Sequence, residues 1–247
     1  MQHKRATSLE TLQALCEDSI NQIDFFDAID AKTPAIIAEC KKKSPSAGVL
    51  IEDYDPVALA QSYQDAGACA VSVLTDEAFF GGDLMQLEEV ASQVDIPVLR
   101  KDFIVDEYQI YEARRYGASS YLLLASLLDA PMLQYFIEIG RELGMEPLVE
   151  AHNREELASI LKTDAKIIGI NNRDLKNMSV DKNQATALLK EFATELTGRI
   201  LVYESGVTSH QDVNKAQLAG FDAFLVGTAL VTAQDPRKAL VDLLGVK

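Results

Sequence analysis

The chain has 247 residues, 48% hydrophobic and 25% charged, with a formal net charge of −15. That length holds one large core. So acidic a surface repels a phosphate backbone, which excludes nucleic acid as an expected partner and leaves a small anion only where local lysines and backbone amides override the global field.

Three scattered cysteines, Cys16, Cys40 and Cys69, form neither a disulfide framework nor a metal cage. The start of the chain has no signal-peptide core, and no apolar run has membrane length. The expectation is a soluble cytoplasmic protein with reduced thiols and no membrane partner.

In chain order, the first 30 residues are an amphipathic prelude. Leu9, Leu12, Leu15, Ile20, Ile23, Phe25, Phe26 and Ile29 predict one or two helices that plug or flank the main body, with a cover over the substrate as the second reading. From residue 31 to residue 247, nearly continuous apolar runs recur roughly every 25 to 35 residues, the pattern of strands buried on both faces. They fall at 35–39, 69–74, 96–100, 119–124, 147–150, 166–171, 200–204 and 222–227.

Helical periodicity occupies 56–66, 106–116, 130–143, 154–161, 182–196 and 211–219. The first of these opens on Asp55-Pro56, a cap followed by proline at the first helical position, and several end on glycine. Strands alternating with helices give a parallel sheet, and eight such units favour closure into a (β/α)8 barrel. An open doubly wound sheet is the second choice. The expected organisation is a helical extension over 1–30 and a single barrel domain over 31–247.

In such barrels the reacting groups lie at the C-terminal strand ends. Here the apolar strands end in polar residues. The first runs into Glu39, Lys41 and Lys43, and the third into Lys101 and Asp102. The fifth ends at Glu150, the sixth at Asn171 with Arg173 beyond it, and the seventh at Glu204. Singly, each has a structural explanation, such as a solvated lysine or an Asn171-Asn172 pair satisfying a turn. Together, carboxylates and cations around one mouth are the ingredients of acid–base chemistry. Small residues after the last two strands, Glu204-Ser205-Gly206 and Gly227-Thr228, let backbone N–H groups approach an anion, as in the usual phosphate site of these barrels. His3, His152 and His210 have no ligand spacing, so no metal is expected.

The string Ile37-Ala38-Glu39-Cys40-Lys41-Lys42-Lys43-Ser44-Pro45-Ser46 resembles the first-strand signature of the indole-3-glycerol-phosphate synthases. So do Pro97-Val98-Leu99-Arg100-Lys101-Asp102-Phe103-Ile104 at the third strand and Ile168-Gly169-Ile170-Asn171-Asn172-Arg173-Asp174-Leu175 at the sixth. Glu204-Ser205-Gly206 and Leu225-Val226-Gly227 complete the set, and the resemblance runs from about Ile36 to the C-terminus.

It implies closure of an indole ring from 1-(2-carboxyphenylamino)-1-deoxyribulose 5-phosphate, with loss of carbon dioxide and water and without metal or organic cofactor. By resemblance Lys101 is the general acid and Glu150 the base, assisted by Glu39 and Lys41. Asn171 and Glu204 hold the sugar hydroxyls. Lys41 and Arg173 meet the substrate carboxylate, and Ser205, Gly206, Gly227 and Thr228 cradle the phosphate. Ser44, Pro45, Phe79, Phe80, Phe103 and Leu175 are expected on the substrate side, the apolar ones as a wall for the aromatic ring or as core.

Two departures stand beside the site. Tyr203 replaces a residue commonly serine in the family, and Thr228 one usually serine or glutamate. The expected partner is a small anionic phosphosugar, and the expected assembly is a monomer or a weak homo-oligomer. The alternatives are another phosphosugar barrel, of the phosphoribosylanthranilate isomerase kind, or a non-catalytic phosphosugar-binding barrel.

Overall fold

A computed structural model describes residues 7–17, 23–174 and 178–246. Eight parallel strands close into a barrel: β1 (Ala35–Cys40), β2 (Ala70–Leu74), β3 (Val98–Lys101), β4 (Ser120–Leu124), β5 (Leu148–Ala151), β6 (Ile167–Asn171), β7 (Ile200–Glu204) and β8 (Ala223–Val226). Each pairs with its sequence neighbours, and β1 pairs with β8 through Ala35↔Ala223 to Ala38↔Val226. That closing contact settles the choice between a barrel and an open sheet, because it leaves no sheet edge. The apolar runs read in the sequence match the strands to within one or two residues.

Before the barrel lie α1 (Leu9–Glu17) and α2 (Phe25–Asp30). The helices between strands are α3 (Pro56–Asp65), α4 (Glu77–Phe80), α5 (Leu84–Ala91), α6 (Glu107–Arg115), α7 (Ala130–Glu142), α8 (Arg154–Ile160), α9 (Gln184–Glu191) and α10 (His210–Ala219). After β8 come α11 (Thr228–Val231) and α12 (Pro236–Leu244).

Asp55 caps α3 as its sequence foretells, its carboxylate accepting the Ala58 N–H at 3.0 Å. Periodicity placed no helix over α4, α5, α11 or α12. α4 and α11 are four residues each, too short to display a period. α12 carries the same Asp-Pro opening as α3, so its start was readable. The helix expected over 182–196 is shorter, since α9 ends at Glu191 and turns follow.

Strand parity divides the core in two. Ile36, Ala38, Val71, Val73, Tyr121, Leu123, Ile168 and Ile170 point outward and pack under the helices. Their alternates Ala35, Ile37, Ala70, Leu99, Leu122, Leu148, Ile167 and Val202 fill the barrel interior. Each fully buried Leu, Ile or Val here is worth about 1.5–3 kcal/mol of apolar transfer. Phe25 and Ile29 of α2 are buried within the interior cluster, so this short helix seals the end of the barrel opposite the strand C-termini. α1 lies outside, against α6, where the Cys16 thiol donates to the Tyr111 carbonyl at 3.4 Å. Ile20 of the expected prelude lies outside the described residues. None of the three cysteines forms a disulfide, and all are buried. No helix among the described residues is long and apolar enough to cross a membrane.

Candidate active site

The interior parity that begins with Ala35 and Ile37 on β1 continues to Glu39. By the same alternation Leu99 leads to Lys101, Leu148 to Glu150, Ile167 to Asn171, and Val202 to Glu204. The top interior layer is therefore polar, and its members meet. Lys101 Nζ lies 3.0 Å from Glu204 Oε2, 3.5 Å from Glu150 Oε2 and 3.9 Å from Glu39 Oε2. Lys41 Nζ donates to Glu39 Oε1 at 2.5 Å, and Asn171 Nδ2 donates to Glu150 Oε1 at 2.9 Å.

Two glycines make this density possible. A Cβ at Gly169 would stand 2.1 Å from Glu204 Oε1. One at Gly227 would stand 2.2 Å from Glu39 Oε1 and 2.9 Å from Lys41 Nζ. Among the described residues no group of three or more His, Cys, Asp or Glu is arranged to hold a metal ion; the three carboxylates converge on an ammonium group instead.

Burial and mutual charge separate the proton affinities. Burial alone would lower Lys101, but Glu204, Glu150 and Glu39 outweigh it and hold the ammonium group well above its usual range. Burial pushes Glu204 up, the Glu150 carboxylate adds to this, and the group stands at about 8. Burial would raise Glu150 as well, yet Lys101 and then His152 hold it well below the usual carboxylate range. Glu39 is also lowered, since Lys41 and Lys101 overcome its burial. The layer thus contains a cation, two carboxyl groups whose proton affinity is lowered and a third whose proton affinity is raised. That combination can donate and accept protons around one small volume.

Above this layer is a cavity of about 560 Å³, within the ordinary range for a small-molecule site. Glu39, Lys41, Lys101, Glu150, Asn171 and Glu204 line its floor. Ser205, Gly206, Gly227 and Thr228 line the β7–β8 side, and Phe103, Phe80 and Arg173 are also part of its wall. Ser205 has φ +65° and Gly206 φ +89°, a left-handed turn that exposes backbone N–H groups.

Not every residue expected at the site lines the cavity. Ser44 pairs with Gly48 in a small antiparallel ladder beyond β1, and Pro45 is exposed beside it. Phe79 is 57% exposed and meets the site only through its edge contact with Phe103, at 6.0 Å between ring centroids. Phe80 takes the lining position instead. Leu175 lies outside the described residues.

Tyr203, read from sequence as a bulky change beside the site, belongs elsewhere. Period-two alternation turns Glu204 inward and Tyr203 outward, against Phe221 and Phe224, with its hydroxyl donating to the Lys182 carbonyl at 2.9 Å.

Other residues support the floor; among them the sequence assigns a role only to Asn172, that of satisfying a turn. His152 was set aside for want of metal-ligand spacing, yet it stands two residues beyond Glu150 on the same inward parity. Its Nε2 lies 2.9 Å from Glu150 Oε1. Lys182 lines the cavity beside Gly206 and pairs with Asp212 at 3.0 Å. Asn172 is fully buried and brackets the turn after β7, donating to the carbonyls of Glu204 and Ser205 and accepting the Ala185 N–H. Arg100 is buried behind Lys101, pairing with Glu112 and Asp102 at 2.9 Å each, which fixes the end of β3.

The family model for indole-3-glycerol phosphate synthase matches residues 1–243. The chain belongs to the indole-3-glycerol phosphate synthase family. The match begins well before Ile36, where the sequence resemblance alone was taken to start. The indole-3-glycerol phosphate synthase of Albidiferax ferrireducens is 44% identical over 239 residues, covering 95% of this chain and 89% of that protein. That of Carboxydothermus hydrogenoformans is 48% identical over 212 residues, covering 85% and 78%. That of Polaromonas naphthalenivorans is 41% identical over 247 residues, covering 97% and 93%.

Solved structures extend the likeness to the fold alone. A thiamine phosphate pyrophosphorylase from Pyrococcus furiosus gives a TM-score of 0.62 at 14% identity, covering 86% of this chain and 94% of its own. A mandelate oxidase variant gives 0.64 at 17% identity, covering 86% and 72%.

Proposed function

We propose that this chain, as an indole-3-glycerol phosphate synthase, converts 1-(2-carboxyphenylamino)-1-deoxyribulose 5-phosphate to indole-3-glycerol phosphate, carbon dioxide and water, with Lys101 as general acid and Glu150 as base. The observation that carries the assignment is the single ammonium group of Lys101 held between Glu204, Glu150 and Glu39 at the floor of the cavity. In the reaction, the ring carbon bearing the carboxylate attacks the ketone carbon. Lys101 protonates the ketone oxygen as that bond forms. The carboxylate leaves as carbon dioxide, and its bonding electrons restore the aromatic ring. The new hydroxyl then takes a second proton, from Lys101 once it is reprotonated, and departs as water while Glu150 takes a proton from the adjacent carbon. Each placed proton transfer is worth roughly 10²–10⁴-fold in rate.

Positioning supplies the rest, because a flexible chain must bring two of its own carbons together. In this reading Asn171 and Glu204 hold hydroxyls. Lys41, kept beside Glu39, and Arg173 meet the substrate carboxylate. Ser205, Gly206, Gly227 and Thr228 seat the phosphate. Phe80 and Phe103 wall the aromatic ring. The reading includes a cytoplasmic setting, consistent with buried cysteines free of disulfides.

The test is direct. Purified protein is incubated with the carboxyphenylamino-deoxyribulose phosphate and indole fluorescence is followed. A rise in the wild type that is lost in Lys101→Ala and Glu150→Gln, both still folded by circular dichroism, is the expected result. No signal from mildly acidic to mildly basic pH overturns the activity. Near-normal turnover in either variant overturns that residue's role.

A further inference from the structure

The acid–base pair just proposed leaves a question of charge. Glu150 and Glu204 are both buried, and both touch Lys101. Two close carboxyl groups do not ionise independently, so one will hold a proton that the other lacks. Something must decide which of them stays empty to act as base.

Among the described residues Glu204 pairs with Lys101 alone, and its Oε1 has no hydrogen-bond partner. Glu150 has an imidazole behind it as well. His152 is 7% exposed and does not line the cavity. Its Nε2 lies 2.9 Å from Glu150 Oε1, and its Nδ1 meets Glu156 Oε2 at 3.1 Å.

The clamp is built into the start of α8. Glu156 Oε2 also accepts the His152 backbone N–H at 2.7 Å. Its Oε1 accepts Asn153 Nδ2 at 2.7 Å, and Asn153 Oδ1 caps the Glu156 N–H at 2.9 Å. From α9, Gln184 Nε2 donates to the His152 carbonyl. The imidazole is therefore fixed on both sides by carboxylates. Burial alone would favour its neutral form, but the contacts to Glu150 and Glu156 raise it to about 10.

We propose that His152, clamped by Glu156, is a positioning residue that stands as an imidazolium behind Glu150 and reserves that carboxylate, rather than Glu204, as the unprotonated member of the pair. The inference rests on the reading of Glu150 as base. The charged groups facing Glu150 are Lys101 from β3, Glu39 from β1, Glu204 from β7 and His152 beyond β5, with neutral Asn171 from β6. Those facing His152 are Glu150 and Glu156. Pushing two neighbouring groups apart in proton affinity is how a site assigns acid and base roles to chemically identical side chains.

The first experiment needs no turnover. Nitrogen NMR of the wild-type imidazole at pH 8 should find both His152 nitrogens protonated, and Glu156→Gln should move the midpoint of that titration down. A neutral His152 at pH 7 overturns the proposal. The second uses His152→Gln, which keeps a polar group and removes the charge. An opposite charge at this range shifts a carboxylate by about 1–3 units. The acid limb of kcat should therefore move up by about 1–2 pH units while KM stays within about twofold. A pH-independent loss of kcat, or an unmoved limb, means that His152 only braces the fold, and overturns the charge argument. If the wild type makes no indole, carboxylate carbon titration of the same variant decides. The proton should then be shared onto Glu150, and an unchanged order of Glu150 and Glu204 refutes the inference.

Discussion

Replacing Glu204 with glutamine tests the electrostatics of the site without relying on catalysis. Glu204 rises from 4.5 to about 8 because it is buried and faces the Glu150 carboxylate. A raised carboxyl group binds its proton more tightly in the folded chain than in the unfolded one. The stability tied to that proton is fully present below about pH 4.5 and is lost as the pH climbs through 8. At about 1.4 kcal/mol per unit the rise amounts to roughly 5 kcal/mol, and because Glu204 titrates as a pair with Glu150, about 2–4 kcal/mol is the change expected in a variant.

Glutamine copies the protonated acid in shape and cannot ionise. Its oxygen can still accept from Lys101, and its amide can donate toward Glu150. Glu204→Gln should therefore match the wild type near pH 5 and exceed it by about 2–4 kcal/mol at pH 9, read from urea unfolding curves at both pH values. Turnover should fall in the same variant, so that stability and activity move in opposite directions. A stability gap that is constant from pH 5 to pH 9, or a variant weaker than wild type at pH 9, refutes the picture of a strained carboxylate.

Three further substitutions probe the frame around the site. Gly169→Ala puts a methyl group 2.1 Å from Glu204 Oε1 and displaces that carboxylate; kcat should fall about tenfold or more with an overpacking cost of about 1–3 kcal/mol, and kcat within twofold of wild type would show that the placement of Glu204 is immaterial. Tyr203→Phe removes the hydroxyl's bond to the Lys182 carbonyl and should cost about 1 kcal/mol in thermal or urea unfolding, with steady-state constants unchanged; a tenfold drop in kcat would place this side chain at the substrate after all. Thr228→Val removes one polar contact of about 1 kcal/mol from the proposed phosphate seat, so KM should rise about fivefold at constant kcat, and a change in kcat alone contradicts that role.

The barrel was readable because buried parallel strands leave a signal that survives without context: short apolar runs at regular spacing, ended by caps and glycines. The polar ends of those runs were equally legible as candidates, since an apolar strand that stops on Glu39, Lys101, Glu150, Asn171 or Glu204 breaks its own pattern. What the polar strand ends do not supply by themselves is facing. Tyr203 and Glu204 are adjacent in the chain and lie on opposite sides of the sheet, so proximity in sequence misplaced the tyrosine. Phe79 and Phe80 are another adjacent pair, both within the single turn of α4, and of the two Phe80 lines the cavity. The short helices α4 and α11 were silent because four residues cannot show a period of 3.6.

His152 escaped for a different reason, and it bears on how such a site is read. Spacing arguments look for residues that act on a common ligand, and His152 has no histidine or cysteine partner at metal-binding distance in the chain. Parity does find it, because 148, 150 and 152 share one face of β5 and its extension. A residue proposed to tune the proposed base has to sit behind it, and behind a strand-end residue means two positions further along the chain or across on the next strand. Asn171 holds Glu150 from the neighbouring strand, and His152 holds it from its own. Gly169 and Gly227 fall under the same rule with the opposite sign: they share the inward face with Asn171 and Leu225, and their lack of a side chain leaves the space that Glu204, Glu39 and Lys41 occupy. The inward-facing positions of β6 and of the turn after β8 therefore specify this site as much by what is missing as by the charges present.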